Sequence, residues 1–382
     1  MFMKNIFLIG TTASNLFLFR KDFITSCLSR GYVVYSLVSE YDNDSIKKIE
    51  DLGSKVIIYN LSRAGLNPLH DIKSMLEIKS YIDKYQPKLV FSFFSKPVIY
   101  GSLAAKLAKV PKIIGMIEGL GSPFTDHPNG QTLKMKLVRL FQVSLYRVVF
   151  PFMDKIIFLN QDDPIDLIRN NKIFHRKNAI EVLGGIGLNL NEFPYSRWDS
   201  IKPITFIIVA RLLVEKGIYE YLEAARIVKK KYPDVIFKVV GGIDKANPSG
   251  LSQVELDKVI STGIIDYVGF SRNVAQEIRN SAVFILPSYR EGVPRSTQEA
   301  MAIGRPVITT DVPGCRDTVI DGVNGFLIPK WDVNALANKM MYFIEYPEQI
   351  NIMGQESYKM AQEKFDAEKV NVKLLKMIDI CV

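Results

Sequence analysis

Two cations in the second half of the sequence have a spacing that could serve phosphate chemistry. Arg211 and Lys216 lie five residues apart, directly after the apolar run 204–210, which is typical of a buried strand. Both side chains could reach a diphosphate beyond the end of that strand and offset the charge of a phosphate leaving group. Lysines and arginines near a helix start are more often only solvated, so this pair alone leaves both interpretations open.

A second segment, 283–329, adds two carboxylates and a predicted helix start. Glu291 precedes the helix expected to begin near Ser296 and Thr297, and Glu299 lies about one turn inside it. The free backbone N–H groups of a helix N-terminus form an anion site. One carboxylate could hold sugar hydroxyls and the other ribose hydroxyls, with phosphates between them. The alternative is two solvated glutamates that flank a helix cap.

The elements that must position these side chains are short apolar strands that alternate with helical segments. Near-continuous apolarity is typical of strands covered on both faces, and the alternation predicts βαβ units with parallel sheets. We therefore expect an α/β protein of two Rossmann-like, doubly wound domains that face each other across a cleft and bind ligands beyond the strand ends. The predicted strands are 5–10, 32–38, 55–60, 88–94, 112–117, 155–160, 204–210, 235–242, 264–270, 283–287, 306–310 and 325–329.

Length and composition fit this two-domain expectation. The chain has 382 residues, 48% hydrophobic and 23% charged, which excludes a disordered or collagen-like protein. The polar segment 187–203 contains two prolines and no clear periodicity, so it predicts a linker between a domain at 1–186 and another at 204–364.

The net charge of +9 lies entirely in one half. Residues 1–190 contain 25 Lys or Arg and 16 Asp or Glu, whereas residues 191–382 contain 24 of each. A basic half beside a neutral half indicates two domains with different partners. Nucleic acid is a standard partner of a basic domain, but no recognition motif supports it here.

The cysteines and the apolar runs indicate a reduced, cytoplasmic setting. The three cysteines, Cys27, Cys315 and Cys381, are far apart and lack metal-ligand spacing. The apolar run at residues 6–9 is too short for a signal peptide, and no run of about 18 apolar residues predicts a spanning helix.

The second-half motifs together resemble the donor-binding signature of retaining family 4 glycosyltransferases with the GT-B fold. The resemblance implies a hexosyltransferase that uses a UDP-sugar as co-substrate, needs no metal or other cofactor, and has a C-terminal helix, 365–382, packed back on the first domain. The matching phrases are A-R-x4-K-G at 210–217, V-V-G-G at 239–242, P-S-Y-R-E-G-V-P at 287–294, Q-E-A at 298–300, G-R-P-V at 304–307 and D-G-V-N-G-F-L at 321–327.

The resemblance also implies a role for each matching residue. Arg211 and Lys216 would bind the donor diphosphate, Glu291 would bind hydroxyls of the donor sugar, and Glu299 would bind the ribose. The loop 243–248 would lie around the base. Further donor contacts would come from Gly10, Thr11, Thr12, Gly242, Phe270, Arg272, Val293, Pro294, Arg295, Ser296 and Thr297.

Phrases at 9–15, 61–69 and 117–126 narrow the resemblance to a subgroup that acts on undecaprenyl-diphosphate-linked saccharides. This subgroup includes α-1,3-N-acetylgalactosaminyltransferases of glycan, capsule and O-antigen assembly. It implies UDP-N-acetylgalactosamine as the first candidate donor, a lipid-diphosphate-linked acceptor, and a peripheral position on the inner face of the bacterial plasma membrane. The donor sugar, the acceptor glycan and the linkage position stay open.

On the acceptor side, Glu118 ends a strand and opens a loop with Gly119 and Gly121. Many family members carry a histidine at this position. Glu118 either touches the donor sugar or orients the acceptor hydroxyl, or it serves only as a cap or loop residue. The pair Thr11-Thr12 replaces the more usual glycines, which weakens the expected backbone contact with the donor phosphate.

Three other features have a functional and a simpler interpretation. Arg63 is a candidate for the acceptor diphosphate, and His127 for an acceptor base or a structural histidine. The string Asp42-Asn43-Asp44 matches a metal-binding D-x-D, but a helix cap is favoured and no metal site is expected. Residues 131–153 predict either a core helix or a basic amphipathic surface for an anionic membrane.

The expected reaction is sugar transfer with retained anomeric configuration, by attack of the acceptor hydroxyl on the face that the nucleotide leaves. Two alternatives remain open. A nucleotide-sugar 2-epimerase shares the two-domain architecture and the donor, and a non-catalytic subunit that binds nucleotide sugar or lipid would need the same donor motifs.

Overall fold

The chain forms two compact units in the computed structural model, which describes residues 4–62, 67–199, 203–244 and 249–380. The first unit comprises Met1–Pro123, Leu133–Ile186 and Ala367–Val382, and the second comprises Phe124–Thr132 and Gly187–Asp366. A short segment from the first half of the sequence, Phe124–Thr132, therefore belongs with the second unit.

Parallel strands alternate with helices along the whole chain. In the described residues the strands are β1 (Lys4–Ile9), β2 (Tyr32–Val38), β3 (Lys55–Ile58), β4 (Leu89–Phe93), β5 (Lys112–Ile117), β6 (Lys155–Phe158), β7 (Ile180–Val182), β8 (Thr205–Val209), β9 (Ile236–Val240), β10 (Asp266–Gly269), β11 (Val283–Leu286), β12 (Val307–Thr310) and β13 (Gly325–Ile328). The α-helices are α1 (Ala13–Ser29), α2 (Asn43–Asp51), α3 (Pro68–Tyr85), α4 (Ser95–Leu107), α5 (Leu133–Val149), α6 (Asp162–Pro164), α7 (Ile218–Lys231), α8 (Gln253–Ser261), α9 (Val274–Arg279), α10 (Arg295–Ile303), α11 (Val333–Glu345), α12 (Glu348–Lys364) and α13 (Ala367–Met377).

The first unit is built on a parallel sheet with the strand order β3-β2-β1-β4-β5-β6-β7. The chain moves outward from β1 in one direction and then restarts at β4 in the other. The loops after β1 and β4 therefore diverge, and this switch point is where doubly wound sheets bind ligands. The interior residues Leu8 and Phe91, paired across β1 and β4, are fully buried.

The second unit repeats this plan in the order β10-β9-β8-β11-β12-β13. Its switch point lies between β8 and β11, where Phe206 pairs with Val283 and Ile207 with Phe284. All four side chains are fully buried, as expected of strands covered on both faces. The predicted α/β class with two doubly wound parallel sheets is confirmed.

Local sequence signals explain several helix boundaries. Asp42 caps α2 by accepting a hydrogen bond from the backbone N–H of Ser45 at 2.8 Å, so the D-x-D string is a helix cap, as favoured.

The last helix, α13, packs within the first unit, where Lys373 donates to the Leu183 carbonyl at 2.6 Å. In the part of the predicted linker that the structure describes, regular structure is limited to a 3₁₀ turn, Leu190–Glu192.

Candidate active site

A partly buried ion pair lies at the switch point of the second sheet. Lys216 follows β8 and Glu291 follows β11, and the Lys216 ammonium contacts the Glu291 carboxylate although 75 residues separate them along the chain. The side chains are only 21% and 12% exposed. Ser288 donates to the same carboxylate oxygen at 2.7 Å. The structure thus holds a cation and a carboxylate in fixed positions at the place where this sheet is expected to bind a ligand.

Two glycines permit the close approach of the loops that hold this pair. Gly217 has φ +72°, and a Cβ atom there would overlap the carbonyl of Pro287. Gly314 has φ +78°, and a Cβ atom there would overlap the carbonyls of Glu291 and Gly292. Left-handed backbone favours glycine because other residues are strained there. Both loops therefore depend on glycine for their conformation.

Arg211, the other predicted phosphate ligand, pairs with a different carboxylate. Its Nη1 lies 2.6 Å from Oδ2 of Asp244, and the arginine side chain is about half exposed. Asp244 was not singled out in the sequence, where it is one of several polar residues in a loop. The rest of that predicted base-contacting loop, 245–248, lies outside the described residues.

The N-terminus of α10 supplies backbone donors near Glu291 in the sequence. Pro294 is its N-cap residue and makes no side-chain cap, so the first-turn N–H groups lack that partner. The hydroxyl oxygen of Thr297 is buried and has no hydrogen-bond partner among the described residues. Val293 is buried and Ser296 is half-buried beside this helix start. The features of an anion site are present: a positive helix end and an unused hydroxyl.

Glu299 lies one turn into α10 and pairs with Arg295. The Nε of Arg295 is 3.1 Å from Oε1 of Glu299, and Nη1 donates to the Gly187 carbonyl at 3.0 Å. Burial raises the pKa of Glu299, and the guanidinium of Arg295 opposes that rise. The carboxylate that the sequence assigns to ribose is therefore oriented by a neighbouring cation.

Cys315, whose thiol interacts with the charges of Glu291 and Lys216, is a poor candidate for a nucleophile. Cys315 is fully buried, and burial, together with the charge of Glu291, raises its pKa to about 12. A thiolate is the nucleophilic form of cysteine. Cys315 is therefore neutral at physiological pH, and it adds no charge to the Lys216–Glu291 pair.

The outer predicted donor contacts of the second unit are more exposed. Phe270 is 82% exposed, and Arg272 is also exposed. The carbonyl of Gly242 accepts a hydrogen bond from the Leu212 backbone at 3.2 Å. These residues lie after β9 and β10, at the same strand-end edge of the sheet as Arg211.

A cavity lies at the switch point of the first sheet. It is partly open to solvent and brings together three predicted residues, Gly10, Thr12 and Glu118. Thr12 also caps α1, and the neighbouring Thr11 is buried with its carbonyl bound by backbone N–H groups. The lining residues are Gly10, Thr12, Asn15, Leu16, Phe19, Arg20, Phe93, Phe94 and Glu118.

Arg20 is the ionisable residue of this cavity that sequence reasoning missed. It is almost fully buried, and its guanidinium contacts the Glu118 carboxylate. The signal was present in the sequence. Arg20 falls on the apolar face of α1 that also carries Leu16, Phe23 and Ile24, and all four side chains are buried. A charge on an apolar helix face is rarely buried without a partner.

Strained backbone lies beside the same cavity. Phe94 has φ +69°, although it is not a glycine, and it is the N-cap residue of α4. Such backbone costs about 1–3 kcal/mol and is concentrated at functional sites.

The remaining predicted acceptor residues do not line this cavity, and one of them lies outside the described residues. Gly119 and Gly121 both have positive φ in the loop after Glu118. His127 belongs to the segment grouped with the second unit, where its ring lies 6.1 Å from that of Tyr289. Arg63 lies outside the described residues.

The described residues contain neither a cluster of metal ligands nor a membrane-spanning helix. No group of three or more His, Cys, Asp or Glu side chains there could hold a metal ion. No helix in the same residues has the length and apolarity needed to cross a bilayer.

Comparisons with known families match both halves of the chain. Residues 6–160 match the family described as "Glycosyl transferase 4-like", and residues 197–360 match "Glycosyl transferases group 1". The first match covers most of β1 and all of β4, and the second contains β8 and β11.

Individual relatives agree with these matches. The chain is 29% identical to the N,N'-diacetylbacillosaminyl-diphospho-undecaprenol alpha-1,3-N-acetylgalactosaminyltransferase of Campylobacter jejuni, over 97% of each chain. It is 24% identical to the UDP-Gal:alpha-D-GlcNAc-diphosphoundecaprenol alpha-1,3-galactosyltransferase of Escherichia coli, over 76% of this chain and 75% of that protein. HepE of Anabaena, solved with UDP and glucose, superposes with a TM-score of 0.77 at 16% identity, over 99% of this chain and all of HepE. The chain belongs to the family 4, group 1 glycosyltransferases and has the GT-B fold.

Proposed function

We propose that this glycosyltransferase moves a sugar from a UDP-sugar to an undecaprenyl-diphosphate-linked saccharide, with retention of anomeric configuration. N-acetylgalactosamine is the first candidate for the transferred sugar. The observation that carries the proposal is the second-unit cluster: the Lys216–Glu291 pair, in which Glu291 lies shortly before the start of α10 in the sequence, and the N-terminus of α10, which has no side-chain cap. Cations and free N–H groups suit a diphosphate, and a fixed carboxylate suits sugar hydroxyls.

The names of two relatives support the choice of substrates. The Campylobacter jejuni and Escherichia coli proteins both have names that specify a saccharide on diphospho-undecaprenol, and the second name specifies UDP-galactose. HepE was crystallised with UDP and glucose. UDP-galactose in the second name and UDP in the HepE structure support a UDP-sugar as the donor.

The proposed chemistry needs little from the protein beyond positioning and charge. The acceptor hydroxyl oxygen forms a bond to the anomeric carbon while the bond from that carbon to the β-phosphate oxygen breaks. The hydroxyl proton passes to the departing phosphate, so the UDP leaving group itself acts as the base. Lys216 and Arg211 stabilise the charge that develops on the diphosphate, and Glu291 holds the sugar hydroxyls.

A proposed membrane contact rests on α5 of the first unit. Val143, Tyr146 and Val149 on one face of this helix are buried. On the opposite face Leu133, Leu137 and Leu140 are 74%, 58% and 60% exposed, and their spacing of four and three residues makes one stripe. Exposed Lys134, Lys136 and Arg147 flank that stripe. One face of this helix is therefore part of the core, and the opposite face is an apolar stripe with basic edges. The second face supports the membrane interpretation of the segment.

A basic amphipathic helix of this kind fits an anionic leaflet, where the lipid-linked acceptor would lie. We therefore place the enzyme at the inner face of the bacterial plasma membrane. The excess positive charge of residues 1–190 has the sign that this position requires.

The test of function uses purified protein, a panel of UDP-sugars and undecaprenyl-diphosphate-linked monosaccharides. We expect a lipid-linked disaccharide and released UDP only when donor and acceptor are both present. Conversion of the donor to its 2-epimer without acceptor would identify an epimerase. Binding of UDP with no transfer to any acceptor in the panel would identify a non-catalytic subunit.

The membrane contact is tested with phosphatidylglycerol vesicles. The double variant Leu137→Ser/Leu140→Ser is expected to lower vesicle affinity at least about tenfold, because burying one leucine side chain contributes about 1.5–3 kcal/mol. The matched control is Val254→Ser/Ile352→Ser, which removes two exposed aliphatic side chains from α8 and α12 of the second unit. Equal loss in both double variants would contradict a role for α5.

A further inference from the structure

The first-unit cavity contains a buried ion pair that the proposed chemistry does not yet use. Arg20 of α1 and Glu118, directly after β5, are 4% and 8% exposed, and Nη2 of Arg20 contacts Oε1 of Glu118. Among the nine cavity residues these two alone are ionisable. The other walls are aromatic, aliphatic or small polar groups.

The guanidinium of Arg20 is fixed on three further sides. Nη1 donates to the Phe19 carbonyl at 2.9 Å, and Nη2 lies 3.3 Å from the sulfur of Met116. The ring centroid of Phe93 is 4.2 Å from Cζ, within the range of a cation–π contact. Arg20 is therefore held by α1, β4 and β5 together, and its orientation is set by the core of the first unit.

Among the described residues, only one oxygen of the Glu118 carboxylate has a hydrogen-bond partner. Arg20 binds Oε1, whereas Oε2 accepts no hydrogen bond from the described residues. A buried carboxylate that already has a cation on one oxygen can accept a short, directional hydrogen bond on the other. A hydroxyl of a pyranose ring has the required donor, and its apolar C–H face suits aromatic walls.

We propose that Arg20 is a positioning residue, which holds the Glu118 carboxyl group so that Oε2 accepts a hydrogen bond from a sugar hydroxyl at this cavity. This inference rests on the proposed function, because it takes a sugar as the ligand. Arg20 itself need not touch the sugar. Its effect on transfer passes through Glu118.

The pH dependence follows from the surroundings of Glu118. Burial raises its pKa, and the charge and hydrogen bond of Arg20 lower it again. Of the elements around the carboxyl, α1 supplies Arg20, while β1, β4 and the start of α4 line the cavity with Gly10, Phe93 and Phe94. Removal of Arg20 therefore raises the pKa of Glu118 further. If transfer needs the carboxylate form, the variant without Arg20 loses activity at a higher pH than the wild type when the pH is lowered.

The experiment measures kcat/KM against pH for the full-length wild type, Arg20→Lys, Arg20→Met, Glu118→Gln and the double variant Arg20→Met/Glu118→Gln. We expect Glu118→Gln and Arg20→Met each to lose about 10²-fold, the cost of a misplaced contact. The acid limb should move to higher pH in Arg20→Met, move back in Arg20→Lys and disappear in Glu118→Gln. The double variant should be no slower than the slower single variant.

Controls separate positioning from folding. Arg30→Met, at the exposed C-terminal end of α1, should leave the rate and the pH profile unchanged. If Arg20→Met does not fold, Arg20→Lys and the uncharged double variant carry the comparison. An acid limb that does not depend on residue 20, or losses that multiply in the double variant, would overturn the inference and leave the proposed function standing. A wild type that transfers no sugar would overturn both.

Discussion

Replacing Lys216 by alanine is expected to lower kcat/KM for sugar transfer by about 10²–10³-fold, the usual cost of losing one preorganised charge contact to the leaving group. Lys216 is mostly buried against Glu291, so the ammonium is in place before the donor arrives. Steady-state kinetics with donor and acceptor both varied measure this effect.

Glu291→Gln completes that test by keeping shape and removing charge. It retains an oxygen for Ser288, which donates at 2.7 Å in the wild type, but it loses the ion pair with Lys216. We expect a loss of similar size. The control is Lys330→Ala, since Lys330 pairs with the exposed Asp126 in the same unit. Turnover near the wild-type value in both Lys216→Ala and Glu291→Gln would contradict the site assignment.

Replacing Gly314 by alanine is expected to reduce turnover by about 10²-fold without removing any predicted ligand, because a displaced contact can cost that much. A Cβ atom at this position meets the carbonyls of Glu291 and Gly292, so the loop that carries Glu291 must move. Melting temperature and kcat measured on the same preparations show whether activity falls more than stability.

A matched control separates backbone strain from displacement. Gly322 has φ +74°, close to the φ +78° of Gly314, but a Cβ atom there meets nothing within 4 Å. Gly322→Ala should therefore show only the cost of left-handed backbone, about 1 kcal/mol, with kcat preserved. If Gly314→Ala and Gly322→Ala lose activity equally, displacement of the Glu291 loop does not explain the loss in Gly314→Ala.

The fold could be predicted from the sequence to a large extent, because apolar strands covered on both faces give a strong pattern. Each of the twelve predicted runs overlaps an observed strand. The exception is β7, which has only three residues, Ile180–Val182, none of them fully buried. So short an edge strand offers no periodicity to detect.

The candidate site was predictable only as residue types along the chain. The cations and carboxylates of the second unit follow strands, so their common edge could be inferred from parallel topology. The hydrogen-bond and ion-pair partners of these side chains could not be inferred in the same way. Asp244 and Ser288 are ordinary loop residues in sequence, and only the three-dimensional structure places them against Arg211 and Glu291.

Arg20 shows a different limit of sequence reasoning. Its position on the apolar face of α1 is readable, but its partner, Glu118, is 98 residues away. Pairing across that distance depends on the order of β1, β4 and β5 in the sheet. A lone charge on an apolar helix face therefore indicates that a buried partner exists and does not identify it.

The most direct test of the central claim is the anomeric configuration of the product. Wild-type enzyme would be incubated with UDP-α-N-acetylgalactosamine and an undecaprenyl-diphosphate-linked monosaccharide, and the H1–H2 coupling of the new linkage measured by NMR. Retaining transfer predicts an α-linked disaccharide with a small coupling. A β-linked product with a large coupling would contradict the account.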